Sequence, residues 1–254
     1  MKIALFGEGH AAASAKEMLS AEHDVTLFVP KREHWLRRLF RRERFVAKNE
    51  LAALRIDADL IVTSGFPWLL PQMLIDRAPR GAINAHPSLL PRHRGPLPLF
   101  WIYHADDRET GVTVHRLVAA ADAGEVLAQS RFELPRGLSV RDLAGKKQQL
   151  GAQMLRDVVA RIDSIEGVPQ EHSAATQAPR VKRGTSMIDF ETWPAERVWH
   201  FLHGLHPFFR EPVADYRGVG AWESRAHDRG PGSVEDAPDG WLLYCRDGIV
   251  HLLR

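Results

Sequence analysis

The sequence has little of three features that would restrict its function: cysteine, net charge and long apolar runs. Cys245 is the single cysteine, so a disulfide framework is excluded, and its apolar, strand-like surroundings indicate an inert packing residue. The 254 residues carry a formal net charge of +2, so whole-chain charge favours neither nucleic acid nor a membrane as partner. The apolar runs fall short of the roughly 20 residues that span a bilayer. Met1 leads directly into a strand-like run without a signal-peptide pattern, so we expect a cytoplasmic protein.

The length and composition of the chain predict its division into domains. A chain of this length can form one large domain and one small one. Residues 164–185 are rich in glycine, proline, serine and basic side chains, which is the composition of a linker. We therefore expect a larger domain over residues 1–180 and a smaller one over residues 185–254.

The first part of the chain alternates short apolar runs with turn signals. Lys2–Phe6, His23–Val29 and Ala58–Ser64 have the composition of buried parallel strands, and Ala11–Ser20 has that of a helix. This order predicts an α/β fold with a parallel sheet. The intervening turn, GEGHAAA, matches only the start of a dinucleotide-binding fingerprint, because its third glycine is an alanine and no acidic residue ends the second strand. We interpret the turn as part of the fold and not as a nicotinamide site.

A strongly basic stretch follows the second strand. Lys31–Lys48 contains eight Lys or Arg residues and two Glu, a local net charge of +6. Its apolar residues recur at helical spacing, which predicts an amphipathic helix with a basic outer face. Those residues are Trp35, Leu36, Leu39 and Phe40. The face is either simply solvated or a contact for phosphate, from tRNA or from a nucleotide-linked sugar, and charge alone does not distinguish these.

The centre of the sequence carries the polar residues that indicate chemistry. Ala82–His86 has the pattern of a strand that ends at Pro87, so Asn84 and His86 face the same side at its carboxyl end. In open α/β sheets this edge is where ligands bind. Thr110–Leu117 predicts another strand, with Asp122 in the loop after it. Each residue alone is more often a loop hydrogen bonder or part of a turn, but together they predict an amide, an imidazole and a carboxylate at one reacting centre.

These residues resemble a known family. The sequence NAHPSLLPRHRG, followed 38 positions after Asn84 by the Asp of DAGEVL, is similar to the formyltransferases that use 10-formyltetrahydrofolate. That family includes methionyl-tRNA formyltransferase, glycinamide ribonucleotide formyltransferase and the sugar-nucleotide N-formyltransferases. The resemblance implies a Rossmann-like catalytic domain followed by a small OB-like β-barrel domain. It also implies that Asn84, His86 and Asp122 are the catalytic residues.

The resemblance implies a transfer of the formyl group from N10 of the folate to an amine. Asn84 and a protonated His86 would donate hydrogen bonds to the oxyanion of the tetrahedral transition state, each worth about 3 kcal/mol. Asp122 would keep His86 cationic and relay the proton. Neither a metal nor a covalent intermediate is needed.

The resemblance also assigns binding residues. Donor-site residues implied by GFPWLLP and by the second wall of the folate pocket are Phe66, Trp68, Leu70, Leu117, Val118, Ala119, Ala120 and Ala121. Substrate contacts are expected in the first turn and in the loop after the Asn-x-His strand, at Glu8, Gly9, His10, Arg92, His93 and Arg94. Core packing is the alternative for the GFPWLLP residues. His104 and His115 are predicted to be packing or surface residues.

The charge of the smaller domain bears on the acceptor. Residues 185–254 contain seven Arg and no Lys against eleven Asp or Glu, a net charge of −4. A domain that grips tRNA should be positive, so tRNA is the less favoured acceptor. We favour a small-molecule amine, above all an amino sugar on a nucleotide. An amino-acid-derived amine, methionyl-tRNA and a hydrolase that releases formate are the alternatives. The resemblance also implies a possible homodimer through the aromatic segment Trp199–Phe209.

Overall fold

The computed structural model describes residues 1–31 and 43–254. The predicted basic helix over Lys31–Lys48 therefore lies for the most part outside the described residues. Within them, Glu43–Val46 is a strand and Lys48–Glu50 a single 3₁₀ turn, so the helix prediction is wrong for this end of the stretch. The reason is a tertiary contact that composition does not reveal: Glu43–Val46 pairs with the second strand, Leu27 lying opposite Glu43.

The chain forms two compact units. Unit 1 comprises Met1–Pro98, Gly111–Phe132 and Gly145–Ala178, and unit 2 comprises Leu99–Thr110, Glu133–Ala144 and Pro179–Arg254. Unit 2 thus takes two short segments from the first part of the chain. The domain limits 1–180 and 185–254 stay a prediction.

Strands and helices follow each other along the described chain in an α/β order. The strands are β1 (Lys2–Gly7), β2 (Asp24–Pro30), β3 (Glu43–Val46), β4 (Leu60–Ser64), β5 (Ala82–His86), β6 (Glu109–Arg116), β7 (Val126–Glu133), β8 (Gly218–Ser224), β9 (Val234–Ala237), β10 (Gly240–Cys245) and β11 (Gly248–Leu253). The helices are α1 (Gly9–Ser20), α2 (Gln72–Ile75), α3 (Pro98–His104), α4 (Val140–Val159) and α5 (Ala195–Leu205).

Seven strands form the sheet of unit 1, in the order β3-β2-β1-β4-β5-β6-β7. The pairs from β3 to β5 are parallel, whereas β5 and β6 are antiparallel. The predicted α/β fold with a parallel sheet is confirmed. Because β1, β4 and β5 run in the same direction, their carboxyl ends and the turns that follow them meet at one edge.

Two apolar clusters cover the two faces of this sheet. Ile83 belongs to the cluster that contains the apolar residues of α1 and α4, whereas Ala82 belongs to the cluster that contains Leu74 of α2. Side chains alternate along a strand, so Asn84 and His86 face the same side as Ala82. The predicted common orientation of Asn84 and His86 is confirmed.

Unit 2 contains an antiparallel sheet in the order β8-β11-β10-β9. Strands β10 and β11 form a hairpin in which Cys245 pairs with Gly248, so the two loop residues are Arg246 and Asp247. A hydrogen bond stabilises Asp247 in this loop: its Oδ1 accepts from the N–H of Ala195, at the start of α5, at 2.7 Å. Whether the sheet belongs to an OB-like barrel stays a prediction.

Within the described part of the chain, no helix combines the length and the apolar composition that crossing a bilayer requires.

Candidate active site

Asn84 is held from both sides by neighbouring strands. Thr63 of β4 donates from Oγ1 to Asn84 Oδ1 at 2.7 Å, and His115 of β6 lies directly opposite Asn84 in the antiparallel register. Asn84 Nδ2 is 3.1 Å from His115 Nε2. Since Oδ1 accepts the hydroxyl hydrogen, Nδ2 must be the donor end. An amide nitrogen carries two hydrogens, so Asn84 can bond His115 and a second acceptor together.

His86 is buried, with 4% of its surface exposed, at the end of β5. Its Nε2 donates to the carbonyl oxygen of His93 at 2.9 Å, and its Nδ1 lies 3.6 Å from Asp122 Oδ1. Because a carbonyl can only accept, the hydrogen of a neutral His86 is on Nε2. The nitrogen that faces Asp122 is then Nδ1, with its lone pair.

Burial lowers the pKa of His86. The nearby Asp122 and the His93 carbonyl act to raise this pKa, while the charges of His115 and Lys147 lower it further, and the net direction is down from 6.5. The imidazole is therefore neutral at pH 7. This differs from the expected cationic His86, because the loss of water around the buried ring outweighs the attraction of Asp122.

Asp122 is placed between two imidazoles. Its Oδ1 lies 3.5 Å from His115 Nε2 and 3.6 Å from His86 Nδ1, and its Oδ2 accepts a hydrogen bond of 2.8 Å from the Gly95 N–H. Burial acts to raise the pKa of the Asp122 carboxyl, but the two neighbouring imidazoles, His115 more than His86, and the Gly95 N–H together lower it to about 2. Asp122 is a carboxylate at every pH at which the protein is expected to work.

Steric crowding explains why position 124, in the sequence DAGEVL, is a glycine. A Cβ atom on Gly124 would lie 2.0 Å from the carbonyl oxygen of Arg116, at the point where the loop closes. Arg116 N in turn donates to Glu125 O at 2.9 Å. The loop that carries Asp122 can therefore close only if position 124 has no side chain.

The structure brings the three predicted catalytic side chains together and adds a fourth residue. His115, predicted to be a packing or surface residue, is fully buried and contacts both Asn84 and Asp122. Both strands were predicted from the sequence, but their antiparallel register was not. That register, which sets His115 opposite Asn84, is the signal that would have identified it.

An apolar cleft of about 460 Å³, counting the space that opens to solvent, borders Asn84 and Asp122. Six of the predicted donor-site residues line it: Phe66, Trp68, Leu70, Leu117, Val118 and Ala121. Of the described residues, Ala119 and Ala120 lie outside the lining and are exposed on the loop. Leu69, which is 63% exposed, lines the cleft and was not predicted.

The predicted substrate contacts lie in two loops and differ in their exposure to solvent. Gly9 and His10 are exposed and Glu8 is half-buried, in the turn after β1 at the carboxyl edge of the sheet. A Cβ atom on Gly65 would lie 3.2 Å from Glu8 O, so the turns after β1 and β4 approach closely.

The loop after β5 has a largely internal role. Arg92 is exposed, whereas His93 and Arg94 are buried. His93 has a left-handed backbone with φ of 60°, and its N–H donates to Thr176 Oγ1 at 2.8 Å. Arg94 donates to Gln170 Oε1 from Nη2 at 2.7 Å. His93 and Arg94 therefore organise the loop from inside, which sequence reasoning did not anticipate.

The site is built from hydrogen-bonding groups. In residues 1–31 and 43–254, no group of three or more His, Cys, Asp or Glu side chains has an arrangement that could hold a metal ion.

Comparison of the sequence with known proteins finds formyltransferases. A family profile described as Formyl transferase matches residues 2–159. A methionyl-tRNA formyltransferase of Staphylococcus aureus (strain MW2) is 31% identical over 235 residues, which are 84% of this chain and 74% of that protein.

Two solved structures are similar in fold. The N-formyltransferase from Helicobacter canadensis, described in complex with folinic acid and dTDP-3-aminofucose, has a TM-score of 0.76 and 16% identity, covering 100% of this chain and 99% of that one. HypX from Aquifex aeolicus, described in complex with tetrahydrofolic acid, has a TM-score of 0.66 and 17% identity, covering 99% of this chain and 43% of that one.

Proposed function

The chain belongs to the formyl transferase family and is an N-formyltransferase, and from this premise we propose that it moves the formyl group of 10-formyltetrahydrofolate to the primary amine of a small molecule, in particular an amino sugar linked to a nucleotide. The observation that carries the proposal is the meeting of Asn84, His86 and Asp122, of which Asn84 and Asp122 line one apolar cleft. The folate ligands named for the Helicobacter canadensis and Aquifex aeolicus structures support a folate donor in this cleft.

The cleft has the chemistry that a pterin requires. The rings of Phe66 and Trp68 meet edge to face with centroids 5.4 Å apart and supply flat apolar surface. Leu117 and Val118 line the same cleft. We assign the pterin ring to this apolar region and the formyl carbon to its end at Asn84 and Asp122.

The positions of the polar groups support the following reaction. As the amine attacks, a C–N bond forms at the formyl carbon and the formyl oxygen becomes an oxyanion, to which Asn84 Nδ2 donates a hydrogen bond. The amine proton passes to the lone pair of His86 Nδ1, and the neighbouring Asp122 carboxylate stabilises the resulting imidazolium. The bond from the formyl carbon to N10 then breaks as N10 receives this proton. The reaction needs a neutral His86 at its start, which the lowered pKa of this residue favours.

The charge of residues 185–254 favours a small acceptor. Their net charge of −4 opposes contact with the phosphates of tRNA. The Helicobacter canadensis enzyme, described with a nucleotide-linked amino sugar, matches this chain over 100% of its length.

We further propose that the antiparallel sheet of unit 2 is part of an OB-like domain and that Trp199–Phe209 pairs two subunits. Phe208, which is 75% exposed, supports such a contact, and a monomer in solution scattering would contradict it.

Methionyl-tRNA formyltransferase is the second candidate. It is favoured by the 31% identity to the Staphylococcus aureus enzyme, of which this chain covers 74%. The two candidates share the donor and the catalytic residues and differ only in the acceptor.

A parallel assay decides between the acceptors. Purified protein and 10-formyltetrahydrofolate are incubated with a panel of nucleotide-linked amino sugars, with charged initiator methionyl-tRNA, or without an amine. Tetrahydrofolate release and the mass of the product are measured. We expect formylated sugar nucleotide as the efficient product. Efficient turnover of the tRNA alone would favour the second candidate, and formate release without amine would identify a hydrolase.

A further inference from the structure

Residues 168–178, here called the bridging segment, contact both loops that carry the active site. At one end, Val168 and Val126 exchange backbone hydrogen bonds of 2.8 Å beside the Asp122 loop. At the other end, the N–H of Arg94 donates to Thr176 O at 2.9 Å, and the N–H of Ala178 donates to Arg94 O at 2.7 Å. The segment therefore couples the loop after β5, whose His93 carbonyl accepts from His86, to the loop that holds Asp122.

Gln170 is the side chain of this segment with the most complete set of bonds. It is 7% exposed, and its Nε2 donates to Asp122 O at 2.9 Å and to Gly124 O at 2.6 Å. Its Oε1 accepts from Arg94 Nε at 3.1 Å and from Arg94 Nη2 at 2.7 Å. A primary amide has two donor hydrogens and two acceptor lone pairs, so all of its capacity is used. The orientation is unambiguous, since a guanidinium can only donate and a carbonyl can only accept.

We propose that Gln170 is a positioning residue for the formyl transfer: it holds the backbone of the Asp122 loop so that the Asp122 carboxylate stays between His86 and His115. This inference rests on the proposed function, because it takes the catalytic role of Asp122 from there. Gln170 itself touches neither of the imidazoles in the described contacts and acts through Asp122.

The backbone of Asp122 needs such support. Its φ of 51° lies in the left-handed region, which Asp adopts more readily than most residues but at a higher cost than glycine. The preceding residues 118–121 are exposed, so little packing restrains them. The loop is held instead by the two hydrogen bonds from Gln170, by the Gly95 N–H bond to Asp122 Oδ2 and by the close approach at Gly124.

Arg94 orients Gln170. Its buried guanidinium donates twice to Gln170 Oε1 and also contacts His172 Nδ1 at 3.2 Å. The two hydrogen bonds from Arg94 fix the position of Gln170 Oε1 and so direct Gln170 Nε2 towards the Asp122 loop. Arg94, predicted to contact substrate, thus also has a role within the loop, and its contact with substrate stays a prediction.

Movement of Asp122 has a signature that simple destabilisation lacks. His86 faces three charged or titratable groups: Asp122, which raises its pKa, and His115 and Lys147, which lower it. If the Asp122 carboxylate moves away, its contribution is lost and the pKa of His86 falls further. The acid limb of kcat/KM, which follows His86 as the proton acceptor, then shifts to lower pH.

Gln170→Glu is the sharpest substitution. It keeps the shape and the oxygen that accepts from Arg94, but it sets a second oxygen against the carbonyl groups of Asp122 and Gly124. We expect kcat to fall about 10- to 100-fold, the effect of a misplaced catalytic group, with little change in the KM for the donor. We also expect the His86 titration, followed by NMR of labelled histidine, to shift to lower pH, which is opposite to the shift that the added negative charge alone would cause. Gln177→Glu, exposed on the same segment, adds the same charge and should retain wild-type behaviour.

A cycle with Asp122→Asn separates the inference from the proposed function. If Asp122→Asn alone keeps near-normal kcat, the proposed role of Asp122 fails. If Asp122→Asn is inactive while a folded Gln170→Glu has wild-type kcat and His86 titration, the inference alone fails. In the double variant we expect no loss beyond that of Asp122→Asn, and a further loss equal to that of Gln170→Glu alone would overturn the coupling. If Gln170→Glu does not fold, Arg94→Lys, which keeps the charge but not the fork, must shift kcat and the His86 titration in the same direction.

Discussion

His86 Nδ1 lies 3.6 Å from Asp122 Oδ1, while Nε2 of the same ring donates to a backbone carbonyl. The His93 carbonyl fixes the tautomer of His86, and the Asp122 carboxylate lies beside the lone pair of Nδ1. An imidazole in this arrangement is ready to accept a proton and to be stabilised once it has done so. This arrangement supports the proposed role of His86 as a base at the start of the reaction.

Asp122→Asn tests the carboxylate. The amide keeps the size of the side chain and can still accept from the Gly95 N–H, but it carries no charge to stabilise an imidazolium. We expect kcat to decrease by about 10²- to 10⁴-fold, the usual contribution of proton-transfer catalysis, with folate binding unchanged. Steady-state kinetics and a folinic acid titration measure the two effects. Near-normal turnover with a normal circular dichroism spectrum would remove Asp122 from the mechanism.

The pH dependence tests the protonation state of His86. The group must be neutral to accept a proton, so kcat/KM should be lost as the pH falls through the pKa of His86, which lies below 6.5. Asp122 has a pKa of about 2 and adds no limb near neutral pH. Rate profiles between about pH 5 and 8 measure this limb. A rate that rises as the pH falls through this range would instead require a cationic His86.

Thr63→Val tests how Asn84 is oriented. Valine matches threonine in shape but cannot donate to Asn84 Oδ1, so the amide can rotate and turn Nδ2 away from the oxyanion. We expect kcat to decrease about 10-fold and the free energy of unfolding to fall by about 1–2 kcal/mol. Thr63→Ser retains the hydroxyl and is the matched control. Equal activity of the valine and serine variants would show that the orientation of Asn84 does not depend on the Thr63 hydrogen bond.

Local patterns predicted the parts of the site that depend on one strand at a time. Apolar runs identified β1, β4 and β5, and alternation along β5 set Asn84 and His86 on one face. These features follow from the period of an extended chain and need no knowledge of distant contacts.

The remaining features depend on groups far apart in the sequence. His115 was missed because its place follows from the register of β6 against β5. The protonation state of His86 follows from burial, and the direction of its pKa was expected wrongly because the carboxylate alone was considered. Arg94 was predicted to contact substrate, whereas its partner Gln170 lies 76 positions away. A single sequence carries little signal for such pairings.

Trp68→Ala tests the donor cleft. Loss of the indole removes one of the two aromatic rings that line the cleft beside Asn84 and Asp122. We expect the Kd of folinic acid to rise about 10-fold or more, as for other large aromatic contacts, while kcat at saturation changes little. Calorimetric titration gives the Kd. Ala119→Ser, on the Asp122 loop and outside the lining, should bind normally, and equal binding by all three proteins would place the donor elsewhere.

Gly124→Ala tests the closure of the Asp122 loop, with a second glycine as its control. A Cβ at position 124 would lie 2.0 Å from Arg116 O, so the backbone must move and Asp122 with it. We expect a loss of several kcal/mol in the free energy of unfolding or a kcat lowered at least about 10-fold. Gly145 lies inside α4 with no atom within 4 Å of an added Cβ, so Gly145→Ala should raise the free energy of unfolding by about 0.5–1 kcal/mol at unchanged activity. Urea unfolding and kinetics on both variants measure this contrast. A Gly124→Ala protein as stable and active as Gly145→Ala would mean that the loop does not require its glycine.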